Sequence, residues 1–367
     1  MNPANGIVGR FSNWRLHALI PAPWAEAVDA RLRAERLGVG ALIFGDVAAV
    51  IGPETPLWSL RGAIAGHTRP ATPFSSLPRQ RRVLEVIIGV APCVAVAENA
   101  PAMRKQELIR LLKQYSASLS RAVQEYGSFV QFDVIAHWDL NDVIESLERE
   151  GRAPRRLKLP EGPLGEAYAN DAEARMKKLI AEKKLEAGAR LGELIRPVAH
   201  EMAPLTLSGA NVIAGAATIV RRSRISELYR ALEDARAMDS IEISCIGPMP
   251  ARALVAIEII DTRAAQVAKA RRVLSTPAQT TRGDIKGAYY DAMKENHPDF
   301  RRNGRVNTAA ITAIQSAYEI LTAYAEQQGA KQSEDVVSFV KIRSQAPYTL
   351  RLRKYTPSNL SLDPIAA

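Results

Sequence analysis

Apolar residues in this chain repeat by turns at every second position and at every third or fourth. The order of those switches constrains the fold more than any single motif does. Trp14, Leu16, Ala18 and Ile20 alternate with more polar neighbours, the pattern of a half-buried strand, and Pro21 and Pro23 end it. Ala25 to Leu37 reads as a helix, and the apolar run Ala41 to Ile51, closed by Pro53, reads as a strand covered on both faces. Alternation returns at Val83 to Val96. Met103 to Tyr126 reads as one long helix with Leu108, Leu111, Leu112, Tyr115, Leu119 and Val123 on a stripe and Gly127 as its cap. Phe129 to Trp138 is a further strand. Strand, helix, strand, taken twice, predicts a ferredoxin-like α+β domain over residues 1–152.

The stretch Glu150 to Pro163 is rich in Arg, Gly and Pro and reads as an exposed linker. Beyond it, Ala167 to Met202 forms a long charged helix with Met176, Leu179, Ile180, Leu191, Leu194, Ile195 and Val198 on its apolar stripe. Strands at Asn211 to Val220 and Ser240 to Ile246 flank a helix at Ser226 to Ala237. Gly247-Pro248-Met249-Pro250 breaks the second strand, and apolar character resumes over Leu254 to Ile260. Residues 153–262 are therefore expected to form a small α/β domain with a long helix. Residues 263–330 are expected to form a helical hairpin. Thr281 and Asp284 stand at capping-box spacing before a helix carrying Ile285, Ala288, Tyr289 and Met293. That helix stops at Asn296, because a residue before proline avoids helix. A loop with Arg301, Arg302 and Arg305 leads to a second helix with Ile311, Ile314, Ala317, Tyr318 and Leu321, and Val273 and Leu274 close the base. Residues 331–367 read as a tail that packs back on the body or stays disordered, with a strand at Val336 to Ile342 and a basic run at Arg351, Arg353 and Lys354. The class is α+β.

With 367 residues, 47% of them apolar, the chain can bury more than one core. Cys93 and Cys245 lie far apart in apolar surroundings and read as small buried hydrophobes. The apolar stretch Leu37 to Ile51 carries Asp46 and falls short of a membrane span, and Met1 to Arg15 lacks a secretory pattern, so a cytoplasmic location is expected. Forty-nine basic against 39 acidic residues give a net charge of +10, which draws anionic partners. Those charges are spread along the chain without interleaved aromatics, which argues against nucleic acid. Gly38, Gly40 and Gly45 do not make a dinucleotide loop, because Ile43 stands where the third glycine is needed. His137 and Asp139 read as polar residues at a strand end, and His200-Glu201 lacks the second histidine of a helical zinc site. No catalytic residue, cofactor or metal is expected, and the chain reads as a non-enzyme.

Several of these features together resemble the gas vesicle protein F/L family (GvpF/GvpL). They are the strand-helix-strand opening, Ala48 to Val50, the long helix leading through Gly127 into a strand, the charged helix, and the strand ending in Gly247-Pro248-x-Pro250, over roughly residues 12 to 260. Met249, Ala251, Arg252 and Ala253 replace the aromatic-rich run that family members usually carry there. The resemblance implies an accessory protein of gas vesicle assembly that contacts the small hydrophobic shell protein (GvpA-like) and other accessory proteins and is associated with the vesicle. It implies no enzyme activity. The C-terminal hairpin resembles the J-domain of DnaJ (Hsp40) co-chaperones. Leu274 precedes Ile285 by eleven residues, Ile285-Lys286-x-Ala288-Tyr289 and Ala317-Tyr318-Glu319-Ile320-Leu321 follow its helices, and His297-Pro298-Asp299 stands between them. That resemblance implies contact of His297, Pro298 and Asp299 with an Hsp70 (DnaK-like) ATPase, with Lys286, Lys294, Arg301 and Arg302 steering the encounter. The alternative reading is a J-domain co-chaperone whose clients are unrelated to gas vesicles.

Overall fold

The computed structural model describes residues 13–54, 77–152, 163–205, 207, 209, 211–237, 241–296, 308–340 and 347–354. The first sheet joins β1 (Trp14–Pro21), β2 (Gly40–Phe44), β3 (Val47–Pro53) and β4 (Val94–Ala95) in the order β2-β3-β1-β4, every pair antiparallel. Helices α1 (Ala25–Ala34) and α2 (Leu77–Val90) are its crossovers. The expected single strand over Ala41 to Ile51 is instead a hairpin, turned at Gly45, whose φ of 62° suits glycine. The expected strand over Val83 to Val96 is helix as far as Val90. Val83, Leu84, Ile87 and Ala91 are buried at helical spacing, and an apolar run that dense fits either period.

The alternation along β1 is broken by a register shift between Leu16 and Ala18, a bulge at His17. Ala18 and Ile20 consequently face one core with Ala48, Val50 and α1, while Leu16 and Leu19 face another with Ala49 and Ile51. The second core is closed by α3 (Lys105–Gln114) and α4 (Ser116–Tyr126), which replace the single helix expected over Met103 to Tyr126. They break at Tyr115 (φ −103°, ψ 11°). Gly127 caps α4 as expected, with its N–H donating to the Val123 carbonyl. A Cβ at Gly127 would lie 2.5 Å from that oxygen, so only glycine fits.

The second sheet joins β5 (Phe129–Trp138), β6 (Glu201–Pro204), β7 (Val212–Arg221) and β8 (Ile241–Pro250) in the order β6-β7-β5-β8. Phe129–Trp138 therefore pairs with β7 and β8, not with the N-terminal strands. All of its pairings are antiparallel, which corrects the expected α/β arrangement of the middle region. Helices α5 (Leu140–Arg149), α6 (Pro163–Ile195) and α7 (Ile225–Arg236) cover one face, where Phe132, Val134, Ala136, Leu191, Ile195, Leu228 and Leu232 join the core shared with α1 and α2. The strand order repeats that of the first sheet. β8 does not break at Gly247-Pro248. The strand runs through a cis peptide there, and its register against β5 shifts between Gln131 and Asp133. Arg222, just past β7, ties the layers together by donating to the Ile88 and Ala91 carbonyls at the end of α2.

β9 (Val255–Asp261) lies beside β4 through the parallel bridge of Val96 with Ile257. It pairs along its length with β12 (Tyr348–Lys354), so residues 348–354 pack on the body. Between β9 and β12 the chain forms α8 (Ala264–Val273), β10 (Gln279–Thr281), α9 (Arg282–Asn296), α10 (Thr308–Gln327) and β11 (Val336–Ser338). Helices α9 and α10 are accompanied by a small antiparallel pair, in which β11 falls within the strand expected over Val336 to Ile342 and β10 is a strand the residue pattern did not reveal. Leu274 closes this core as expected, but Val273 is exposed.

Candidate functional site

Helix α9 starts where its capping residues place it. The Asp284 N–H donates to Thr281 Oγ1 at 3.0 Å, and the Thr281 N–H donates to Asp284 Oδ2 at 3.0 Å. These bonds from Thr281 hold the Asp284 carboxyl below the usual carboxylate range. Ile285 is fully buried against Ile314, Ala317 and Leu321, and the Tyr289 ring stacks on Tyr318 with centroids 4.5 Å apart. Tyr324 stacks on Phe339 behind them at 5.5 Å. The facing sides of α9 and α10 are therefore fixed by packing.

Its outward side carries Lys286, Tyr290 and Lys294, spaced one turn apart along α9 and exposed. The Lys286 ammonium lies 5.8 Å from the Tyr290 ring centroid, and Tyr290 is 58% exposed. The fold thus puts both lysines singled out from the sequence on one solvent-facing stripe. His297, Pro298, Asp299, Arg301 and Arg302 lie outside the described residues, as does Arg305.

A polar seam seats these helices on the body. Glu326 of α10 accepts from Arg282 at 3.0 Å and pairs with Arg351 of β12 at 2.8 Å. Arg353 pairs with Glu258 of β9 at 2.9 Å and approaches Glu319 at 3.9 Å. The Gln327 amide donates to the Thr262 and Thr349 hydroxyls. Burial, and then the neighbouring Glu258, raise the Glu319 pKa. Sequence reading missed this seam, because its partners meet only once β9 and β12 pair. The one legible signal was the cationic run Arg351, Arg353, Lys354, whose members here pair with carboxylates.

His200 stacks on Phe129 at 4.4 Å. Cys93 is buried and its thiol is pushed up to about 12 by desolvation, so it stays protonated. Among the described residues no group of three or more His, Cys, Asp or Glu could hold a metal ion, and no helix is long and apolar enough to cross a membrane.

Comparison with known proteins bears on the second sheet, the helices around it and α2 to α4. Residues 82–251 match the family described as gas vesicle synthesis protein GvpL/GvpF. The match begins within α2, runs through β8 and ends before the C-terminal helices, a narrower span than the sequence resemblance implied. Two crystal structures are similar. One is the gas vesicle protein GvpF from Anabaena sp. PCC7120, with 14% identity and a TM-score of 0.46 over 65% of this chain and 96% of that one. The other is GvpF from Microcystis aeruginosa, with 12% identity and a TM-score of 0.43 over 65% of this chain and 97% of that one. No curated protein matches. The GvpL/GvpF family is one of structural gas vesicle proteins and not of enzymes.

Proposed function

We propose that this chain is an accessory protein of gas vesicle formation that binds the hydrophobic shell protein, works beside other accessory proteins at the vesicle, and presents an Hsp70 docking surface on its C-terminal helices. The observation that carries the first part is the GvpL/GvpF match over residues 82–251. An apolar subunit that assembles through strand edges aggregates unless it is covered beforehand, and an accessory protein that binds it supplies that cover. Co-expression tests this. With the chain present, shell protein stays in the supernatant after centrifugation; an unchanged pellet contradicts the reading.

The second part rests on α9, where Lys286 and Lys294 share an exposed stripe, and on His297-Pro298-Asp299 following that helix in the sequence. Lys286, Lys294, Arg301 and Arg302 steer an acidic partner, so the encounter weakens with salt, while His297, Pro298 and Asp299 make the contact that promotes ATP hydrolysis. Purified chain raises DnaK-type ATP turnover and His297→Gln does not; equal turnover with the parent and the variant removes this part alone.

A further inference from the structure

At the edge strands of this molecule, side chains bond to main-chain groups that no neighbouring strand takes. On β2 the Ala41 N–H donates to Asp29 Oδ1 at 3.2 Å, and on β8 the Ile243 carbonyl accepts from Arg236 at 3.2 Å. Each of these charged groups meets a single backbone group and is itself in an ion pair, Asp29 with Arg33 and Arg236 with Glu233. Charges so placed guard an edge against pairing. The edge of β11 is different. There the Ser338 N–H donates to Gln328 Oε1 at 3.1 Å and Gln328 Nε2 donates to the Ser338 carbonyl at 2.8 Å, so one neutral amide meets both main-chain groups of one residue. That is the bonding of a hydrogen-bonded pair in an antiparallel ladder. The Gln328 carboxamide therefore stands in for the peptide backbone of a further strand. On its other side β11 is paired with β10, and Val337 and Phe339 point into the core of these helices. Val336 and Val340, 67% and 62% exposed, alternate with them and leave two bare aliphatic side chains beside the edge.

We propose that β11 is a docking edge for an extended segment of a partner protein, which adds an antiparallel strand in place of the Gln328 amide. One partner residue exchanges both bonds with Ser338, and the residues two positions to either side of it are aliphatic and lie against Val336 and Val340. Hydrogen-bond geometry selects that occupant. A helix bonds its own main-chain groups internally and offers nothing in place of the amide, whereas an extended chain presents an N–H and a carbonyl from the same residue. The exchange is easy at this edge alone. Gln328 is exposed, so its amide passes into water while Ser338 keeps both bonds, and its own N–H stays anchored to the Tyr324 and Ala325 carbonyls at the end of α10. On β2 and β8 an incoming strand would have to displace an ionised group, whose bond to the main chain is roughly twice as strong.

The test is fluorescence anisotropy of the full chain with a labelled peptide that carries Val, Thr and Val at alternate positions among serines. N-methylation at the Thr keeps every side chain but removes the N–H that reaches the Ser338 carbonyl, and it weakens binding about tenfold. The same methyl on the adjacent serine, whose N–H faces away from β11, leaves binding unchanged. Gln328→Ala vacates the edge and binds the unmodified peptide about fivefold more tightly than the parent does. Val336→Ser/Val340→Ser binds it more weakly. Equal binding of the two methylated peptides, an absence of binding by the parent, or a Gln328→Ala variant with unchanged or lower affinity overturns the proposal. Self-association of the parent that the double valine variant abolishes would assign the edge to a second copy and overturn it equally.

Discussion

At the scale of single residues, the bulge on β1 places His17 in the interior, 5% exposed, with no partner for Nδ1. Desolvation, with Arg79 and Arg15 adding to it, lowers its pKa from 6.5 to about 4. The fold therefore holds the neutral ring and the unfolded chain takes up the proton more readily. The stability involved is fully present above pH 6.5 and is lost as pH falls from 6.5 to about 4. The gap corresponds to about 3 kcal/mol. Urea unfolding at pH 7 and pH 4 measures it: the parent loses about that much more than His17→Gln, and equal losses contradict a buried neutral imidazole. Nothing local announced this, because the alternation Trp14, Leu16, Ala18, Ile20 places His17 on the opposite, wetter face. One extra residue in the strand reverses which neighbours share a core.

At the scale of elements, legibility followed the range of the interactions that decide each one. Thr281 with Asp284 fixes the start of α9 through bonds three residues apart, and that start was readable. Phe129–Trp138 was readable as a strand, but the choice of its neighbours, β7 and β8 against β1, depends on residues as far away as Pro250, the partner of Val130. Val83 to Val90 was misread because six of its eight residues are apolar and suit either period; burial on a helical stripe decides it. The capping box is open to a direct test. Thr281→Ala leaves the Asp284 N–H without its acceptor and lowers stability by about 1 kcal/mol in thermal or urea unfolding. Thr281→Ser restores most of it. If Ala and Ser behave alike, the cap contributes nothing to the seat of α9.

At the scale of the whole molecule, the residues between β9 and β12 form an insertion. Their core draws only on residues from Val267 to Phe339, and the other two cores draw on none of these. The chain leaves and returns at adjacent points, with Asp261 opposite Tyr348 and the Thr262 N–H on the Pro347 carbonyl. The seam holds arginines, carboxylates and threonines, which removing the insertion returns to water. Joining Thr262 to Pro347 through an Asn-Gly turn therefore leaves a body that folds cooperatively with its far-UV signal intact. Aggregation of that variant would show that the body relies on the helices. The same division of labour sets the decisive measurement, which is binding of purified shell protein to the full chain and to this shortened body. The account predicts that both retain the shell protein, because the matched residues 82–251 lie wholly in the body. A body that folds while neither form holds the shell protein would contradict it.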